Sequence, residues 1–355
     1  MALANNQLLM LSILMYTDCI KDGDSVREII ERMEADLECG KSINSCRMDN
    51  SEWHKFLNIV KKQLNLLQYY VTHYKDATGM KVACFIDNFK NPKDVNIVFR
   101  GSHTDEEWND NGMSCFLSDT HHQKEASEYV NGLPEHYGNH MTAAGSSKGG
   151  NKAQYVTIVT NRIEKCVSFN GQGFSKAFID KYSDKISERA NRILSISASY
   201  DYVNSCLFPI AGRKEYLRMN KENVSVFIEL HKPNALLTAK GELTPITKQS
   251  RFSKRVSKWS EYIILSIVRS NKNGAVSCVA TIFDIIAKGH RALRRLRLDA
   301  IWDFIVVMSF CVFIFPIIIP KTFVIGFNLA LTYIFLSLKI SKANKKRRKE
   351  RWKNY

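Results

Sequence analysis

No Cys-x-x-Cys pair occurs in this chain of 355 residues, and its nine cysteines are scattered and odd in number. That excludes a disulfide framework and a zinc ribbon, and it fits a reducing compartment. No segment repeats at a fixed period, which excludes a solenoid or a propeller. No Lys or Arg precedes the short apolar run at residues 8–16. A secretory signal needs a basic start and a small-residue cleavage site, so this run is expected to be a core helix and the N-terminal domain to be cytosolic.

Acidic residues are scarce at one end. Residues 288–355 carry 15 Lys/Arg against 3 Asp/Glu, and residues 239–287 carry 8 against 3. With +16 for the whole chain, residues 1–238 come to about −1. A basic C-terminal third fits nucleic acid or an anionic membrane surface. The remaining composition, 45% hydrophobic and 24% charged, excludes wholesale disorder and collagen-like repeats. The length suits one large domain with an appendage, or two domains.

What lies beside the charge favours the membrane. Residues 304–319 and 322–338 are two uncharged apolar stretches separated only by Pro320 and Lys321. Both are apolar all round, so neither has a face for water. Each is short for a bilayer span, although Ile301 and Trp302 extend the first. Lys/Arg clusters at 288–297 and 345–353 bracket the pair, and two crossings would keep both on the cytoplasmic side. A transmembrane helical hairpin is expected, with a re-entrant hairpin as the alternative. Membrane lipids are the expected partner, since such clusters attract anionic headgroups at roughly 1 kcal/mol per residue; nucleic acid is not expected. Residues 256–269 and 275–287 read as amphipathic helices that lie in the interface or pack on the N-terminal domain, with Phe252, Lys254, Arg255 and Lys258 suited to the interface.

The domain boundaries expected are 1–238 for a catalytic domain, 239–300 for a basic linker, 301–340 for the hairpin and 341–355 for a basic tail. Within the first, residues 81–86 and 95–99 read as strands in hairpin spacing, 150–163 as a helix, 166–169 as a strand, 175–191 as a helix and 192–199 as a strand. That alternation predicts an α/β domain, a mostly parallel sheet covered by helices.

Gly145-Ser146-Ser147-Lys148-Gly149 fits G-x-S-x-G, in which the glycines leave room for a sharp strand-to-helix turn carrying an exposed serine. Such a pentad arises by chance in about one chain in ten of this length, so its setting decides. Residues 140–144 have strand potential and residues 152–159 form an amphipathic helix pattern. A hydrolase built on this turn takes its triad in the order Ser, Asp, His. After Ser147 only His231 and His290 remain, and His290 falls in the basic run. Between Ser147 and His231, Asp180 and Asp184 lie in a helical segment, whereas Asp201 follows a strand. Ser147, Asp201 and His231 are therefore the expected nucleophile, acid and base. The plainer readings are Asp201 as a helix cap and His231, after the strand-like run 224–230, as a surface histidine. The oxyanion would be held by the backbone N–H of Lys148 and by Ser102, in the loop after the strand at 95–99. His121, His122, His136 and His140 have no carboxylate or Cys at ligand spacing, so neither metal nor cofactor is expected.

Phe99-Arg100-Gly101-Ser102, Glu107-Trp108-Asn109-Asp110-Asn111, the serine turn with Gly150-Asn151, Phe169-Asn170-Gly171-Gln172-Gly173-Phe174, Ser199-x-Asp201-x-Val203 and His231 together resemble the lipase class 3-related α/β-hydrolases of bacteria. The likeness is greatest to the group filed as domain of unknown function 2974 and spans roughly residues 5–237. It implies an α/β-hydrolase fold, a serine triad of Ser147, Asp201 and His231, Ser102 as oxyanion residue, lid-like structure at 104–119, and lipid or other ester substrates. Ser146 and Lys148 depart from the His and apolar residue usual there. The expected function is a membrane-anchored serine hydrolase facing the cytoplasm and cleaving glycerolipid or phospholipid acyl esters. The alternatives are an esterase or thioesterase on a non-lipid substrate and an inactive membrane scaffold; a pore-forming hairpin is disfavoured by its lack of polar lining.

Overall fold

The computed structural model describes residues 2–258 and 261, apart from 42, 44–47, 78, 104, 220–230 and 252. The chain divides into two compact units, Met1–Ala287 and Lys288–Tyr355, and every described residue belongs to the first. Three helices lead: α1 (Asn5–Leu14), α2 (Val26–Glu38) and α3 (Asn50–Val60). Then come β1 (Tyr70–Ala77), β2 (Met80–Ile86), β3 (Val95–Phe99), α4 (Asp105–Met113), α5 (His121–Asn131), β4 (Met141–Ser146) and α6 (Lys148–Val159). They are followed by β5 (Ile163–Phe169), α7 (Lys176–Lys181), α8 (Ser183–Arg189), β6 (Ile193–Ala198), β7 (Arg213–Leu217) and β8 (Ile246–Thr247).

The strands form one sheet in chain order from β1 to β8. β1, β2 and β3 pair antiparallel, β3 to β7 run parallel, and β8 returns antiparallel to β7. Parallel neighbours need crossovers, which α4 to α8 supply between β3 and β6. β2 and β3 are buried at every position, as strands covered on both faces must be. Side chains alternate between two cores with the strand period of two. Ala83, Phe85, Val98, Ala144 and Val167 face the core shared with α1, α2 and α3. Val82, Cys84, Ile97, Ala143 and Cys166 face the other, with Val130, Val156 and Phe178.

The run at 8–16 is a core helix as expected over most of its length, since α1 is buried at every residue from Gln7 to Leu14. Three boundaries differ from the expectation. The helix after the serine turn begins at Lys148, because Ser147 itself makes the turn, and it ends at Val159, so Ile163 opens a strand. The helix expected over 175–191 is two helices broken at Tyr182, whose backbone sits at φ −115°, ψ 21° and whose hydroxyl donates to Asp119 at 2.7 Å. Part of the segment after 238 belongs to the sheet rather than to a linker: β8 pairs with β7, the Ser250 N–H donates to the Ser199 carbonyl at 2.9 Å, and the Ser205 and Ser253 hydroxyls meet at 2.5 Å. Among the described residues no helix is long and apolar enough to cross a membrane; the hairpin expected at 301–340 and the strand-like run 224–230 lie outside them.

In a sheet of this kind the parallel strands end along one edge, and ligands gather there. The loops that leave that edge are the ones carrying Gly101 and Ser102 after β3, Ser147 after β4 and Asp201 after β6.

Candidate active site

Ser147 joins β4 directly to α6 with φ 58° and ψ −123°, a backbone conformation that costs a non-glycine residue energy and recurs where a side chain must be held out for use. The turn is tight enough to dictate its neighbours. A methyl group on Gly145 would stand 2.4 Å from the Gly149 carbonyl carbon, and one on Gly149 would stand 2.1 Å from the Phe99 carbonyl oxygen. Both contacts are with backbone, so both glycines of the pentad are required. The Ser147 N–H donates to the Phe169 carbonyl at 2.9 Å, tying the turn to β5.

The structure brings the three expected residues together. His231 Nε2 lies 2.8 Å from Ser147 Oγ, and His231 Nδ1 lies 2.7 Å from Asp201 Oδ1. A carboxylate only accepts, so His231 donates through Nδ1 and Nε2 is left to accept the Ser147 proton. Asp201 is fully buried and also accepts from the backbone N–H groups of Asn204 at 2.8 Å and Val203 at 3.4 Å. It therefore closes a turn and holds the imidazole at once; among the described residues no helix follows it directly to be capped. His231 is fixed from the chain side as well, since Lys232 Nζ and Asn234 Nδ2 donate to Glu52 at the start of α3, at 3.0 and 3.1 Å.

Lys148 is the first residue of α6, so its N–H is one of the helix-end donors without an intrahelical acceptor and points from the positive end of the helix. Ser102 Oγ accepts from Asn111 Nδ2 at 2.7 Å, which turns the serine's own proton away from Asn111. Asn111 is itself in α4, within the segment 104–119 expected to be lid-like.

A buried charge cluster underlies α4 and α6, and sequence reading assigned it no role. Lys148 Nζ stands 2.9 Å from Asp110 Oδ2, Arg100 pairs with Glu107 at 3.2 Å, and Lys152 Nζ lies 3.8 Å from Glu107 Oε1 while donating to the Gly79 carbonyl at 3.0 Å. Glu107 also accepts from the His103 N–H at 2.7 Å, and Asp110 from Thr120 Oγ1 at 2.8 Å and the His122 N–H at 3.3 Å. Burial alone would raise the Asp110 carboxyl, but the Lys148 ammonium and the donors around it hold it below its ordinary value. Burial pushes both His103 and His122 down, so they favour the neutral form. Lys152 is fully buried, and desolvation outweighs Glu107 to bring it down to about 8. The unfolded chain then binds this proton more tightly than the folded one between about 8 and the ordinary 10.5. Wild type is expected to gain stability relative to Lys152→Met as pH rises through that window. Urea midpoints for the two proteins across it give the check; a constant difference would show that Lys152 does not titrate there.

Other nucleophiles are poorly placed. The thiols of Cys84, Cys115, Cys166 and Cys206 are pushed up to about 12 by burial, so they stay protonated and inert. His121 and His122 open α5, and the exposed His140 pairs with Glu164 at 3.1 Å. Among the described residues no group of three or more His, Cys, Asp or Glu is arranged to hold a metal ion.

With this geometry in hand, comparison with known proteins adds a family. The family model described as Mbeg1-like matches residues 50–229. Among curated proteins none matches the chain. Similar solved structures include the Rhizomucor miehei lipase propeptide complex in its native form, 11% identical over 68% of this chain and 81% of that one, with a TM-score of 0.38. A triacylglycerol lipase from Penicillium expansum is 14% identical over 52% of this chain and 84% of that one, with a TM-score of 0.31.

Proposed function

The chain belongs to the Mbeg1-like family, a lipase-like family, and from that premise we propose that it is a serine hydrolase that cleaves acyl esters, with Ser147 as nucleophile, His231 as base and Asp201 as orienting acid. The observation that carries this reading is the hydrogen-bonded line from Asp201 through His231 to Ser147, with links of 2.7 and 2.8 Å. The Ser147 oxygen attacks the ester carbonyl as its proton passes to His231 Nε2. Asp201, already accepting from Nδ1, stabilises the imidazolium that forms. The carbonyl oxygen gains negative charge in the tetrahedral intermediate and is met by the N–H of Lys148 and by Ser102, donors in place before the reaction begins. The intermediate collapses, His231 returns the proton to the leaving alcohol, and Ser147 keeps the acyl group. Water, deprotonated by the same imidazole, then releases the carboxylic acid.

The substrate is a glycerolipid or phospholipid acyl ester of the leaflet beside the enzyme. The support is in the sequence: the two apolar stretches and their basic flanks would anchor the domain to the cytoplasmic face of a bilayer, and anchoring raises the concentration of lipid at the site. A fluorophosphonate probe applied to full-length protein in phospholipid vesicles tests both parts. The expected result is one covalent adduct mapped to Ser147, with fatty acid released from the vesicles in the absence of probe. An adduct without release would move the substrate to a non-lipid ester. Folded protein that takes up no probe would overturn the hydrolase reading and leave a membrane scaffold.

A further inference from the structure

We propose that Tyr16, just past the end of α1, is a further catalytic residue of this site, its phenol O–H donating to the substrate oxygen that becomes negative in the tetrahedral intermediate. The inference rests on the serine-hydrolase reading above. It concerns a residue that precedes the family match at 50–229 and that the sequence places only at the tail of an apolar run.

The position follows from how α1 is held. The helix is buried from Gln7 to Leu14 and lies against β3, β4 and β5. Its last turn is continued by the Tyr16 N–H, which donates to the Ile13 carbonyl at 3.1 Å, so the backbone of Tyr16 is fixed by a helix that has no room to shift. The side chain is only half-buried, unlike Met15 and Thr17 on either side of it.

Gly101 serves as the gauge for where the phenol ends. A methyl group on Gly101 would stand 2.2 Å from Tyr16 Oη, 2.7 Å from the Ser146 carbonyl oxygen and 3.2 Å from Ser147 Cβ. The phenol oxygen therefore occupies the space off the Gly101 Cα that any larger residue would fill. It is no farther from Ser147 Cβ than the first and last of those distances laid end to end. The two residues that follow these backbone points are Ser102 and Lys148, the pair that faces the oxyanion. A hydroxyl in this place stands against Gly101, the residue before Ser102, and close to the Cβ of the nucleophile.

A phenol donor gains more from a developing oxyanion than from a neutral carbonyl, so its effect belongs to the transition state rather than to substrate binding. The test uses full-length Tyr16→Phe, which removes one oxygen and keeps the ring packed. We expect kcat to fall about tenfold or more with KM unchanged, the rate of fluorophosphonate labelling to fall with it, and the thermal midpoint to hold. Affinity for a trifluoromethyl ketone, which adds Ser147 to form an oxyanion, should fall by the same factor as kcat. If wild type is labelled at Ser147 and Tyr16→Phe matches it in kcat, labelling rate and ketone affinity, the role of Tyr16 is overturned while the hydrolase stands. A loss of kcat that tracks a lowered thermal midpoint, with ketone affinity intact, likewise reduces Tyr16 to a packing residue. Wild type that takes no label removes the reading on which Tyr16 depends.

Discussion

Ser147→Ala and His231→Ala are each expected to lower kcat by about a millionfold, and the double variant to lower it little further. The equality is the informative part. Either replacement breaks the same proton path, because His231 Nε2 meets Ser147 Oγ at 2.8 Å and neither group attacks an ester without the other. Asp201→Asn is expected to cost less, about 10⁴-fold. Its amide would turn Nδ2 toward the imidazole while Oδ1 keeps the N–H of Asn204, which now donates to Asp201 at 2.8 Å. Nδ1 would then have to accept, the ring proton would move to Nε2, and Ser147 would lose its base without any change in packing. Single-turnover assays on a chromogenic acyl ester would rank the three, with thermal midpoints to show that each is folded. If Ser147→Ala kept more than a few per cent of wild-type turnover, the hydrolysis would have to arise elsewhere.

These three residues were legible in the chain because a rule about order filtered them. Two histidines follow Ser147, one of them in a basic run, and one acid follows a strand end; no knowledge of distance was needed. The sheet was legible where strands are mostly apolar and buried at every position, as in β2, β3 and β6. β1 and β7 were not, since Tyr70–Ala77 and Arg213–Leu217 are largely polar and gain their strand geometry from the neighbours they pair with. The charge cluster was missed for a different reason. Lys148 and Lys152 are spaced i, i+4 on α6, and Glu107 and Asp110 i, i+3 on α4, so each pair shares a helix face. Charged pairs at that spacing usually mark a solvated face, and only the docking of α4 on α6 turns them inward against each other. Tyr16 was hidden in the same way: the contact that gives it meaning, with Gly101, spans the distance from α1 to the loop after β3.

The inward charges carry the second large effect, on stability. Lys148 is 1% exposed and Asp110 is 7% exposed, so neither has water to fall back on. Asp110→Asn leaves the lysine charged and buried without its partner at 2.9 Å, a loss expected to cost about 3–5 kcal/mol. For a domain of this size that is a fall in thermal midpoint on the order of 10 °C. The amide has one acceptor oxygen: kept on the His122 N–H, it leaves Nδ2 facing Thr120 Oγ1, whose hydroxyl oxygen can accept from it, so the cost reports chiefly the lost charge. Lys148→Met leaves the reverse problem, and it adds a pH signature. The folded-state value of Asp110 is lowered chiefly by Lys148 working against burial, so its stabilising contribution is full above the ordinary 3.8 and lost as pH falls through the depressed folded value. Without the lysine that depression goes, and acid unfolding should begin at higher pH. The combined Asp110→Asn, Lys148→Met protein removes both charges and should recover most of the loss, because a paired charge in the interior is worth far less than an orphaned one costs. Turnover separates the pair's two roles. Asn111, the neighbour of Asp110, donates to Ser102, and Lys148 opens α6 beside Ser147, so under the proposed mechanism α4 and α6 must stay in register for the oxyanion to be met from both sides. Recovery of the thermal midpoint together with kcat in the combined variant would show that packing alone keeps that register; recovery of the midpoint with kcat still depressed would assign the register to the ion pair.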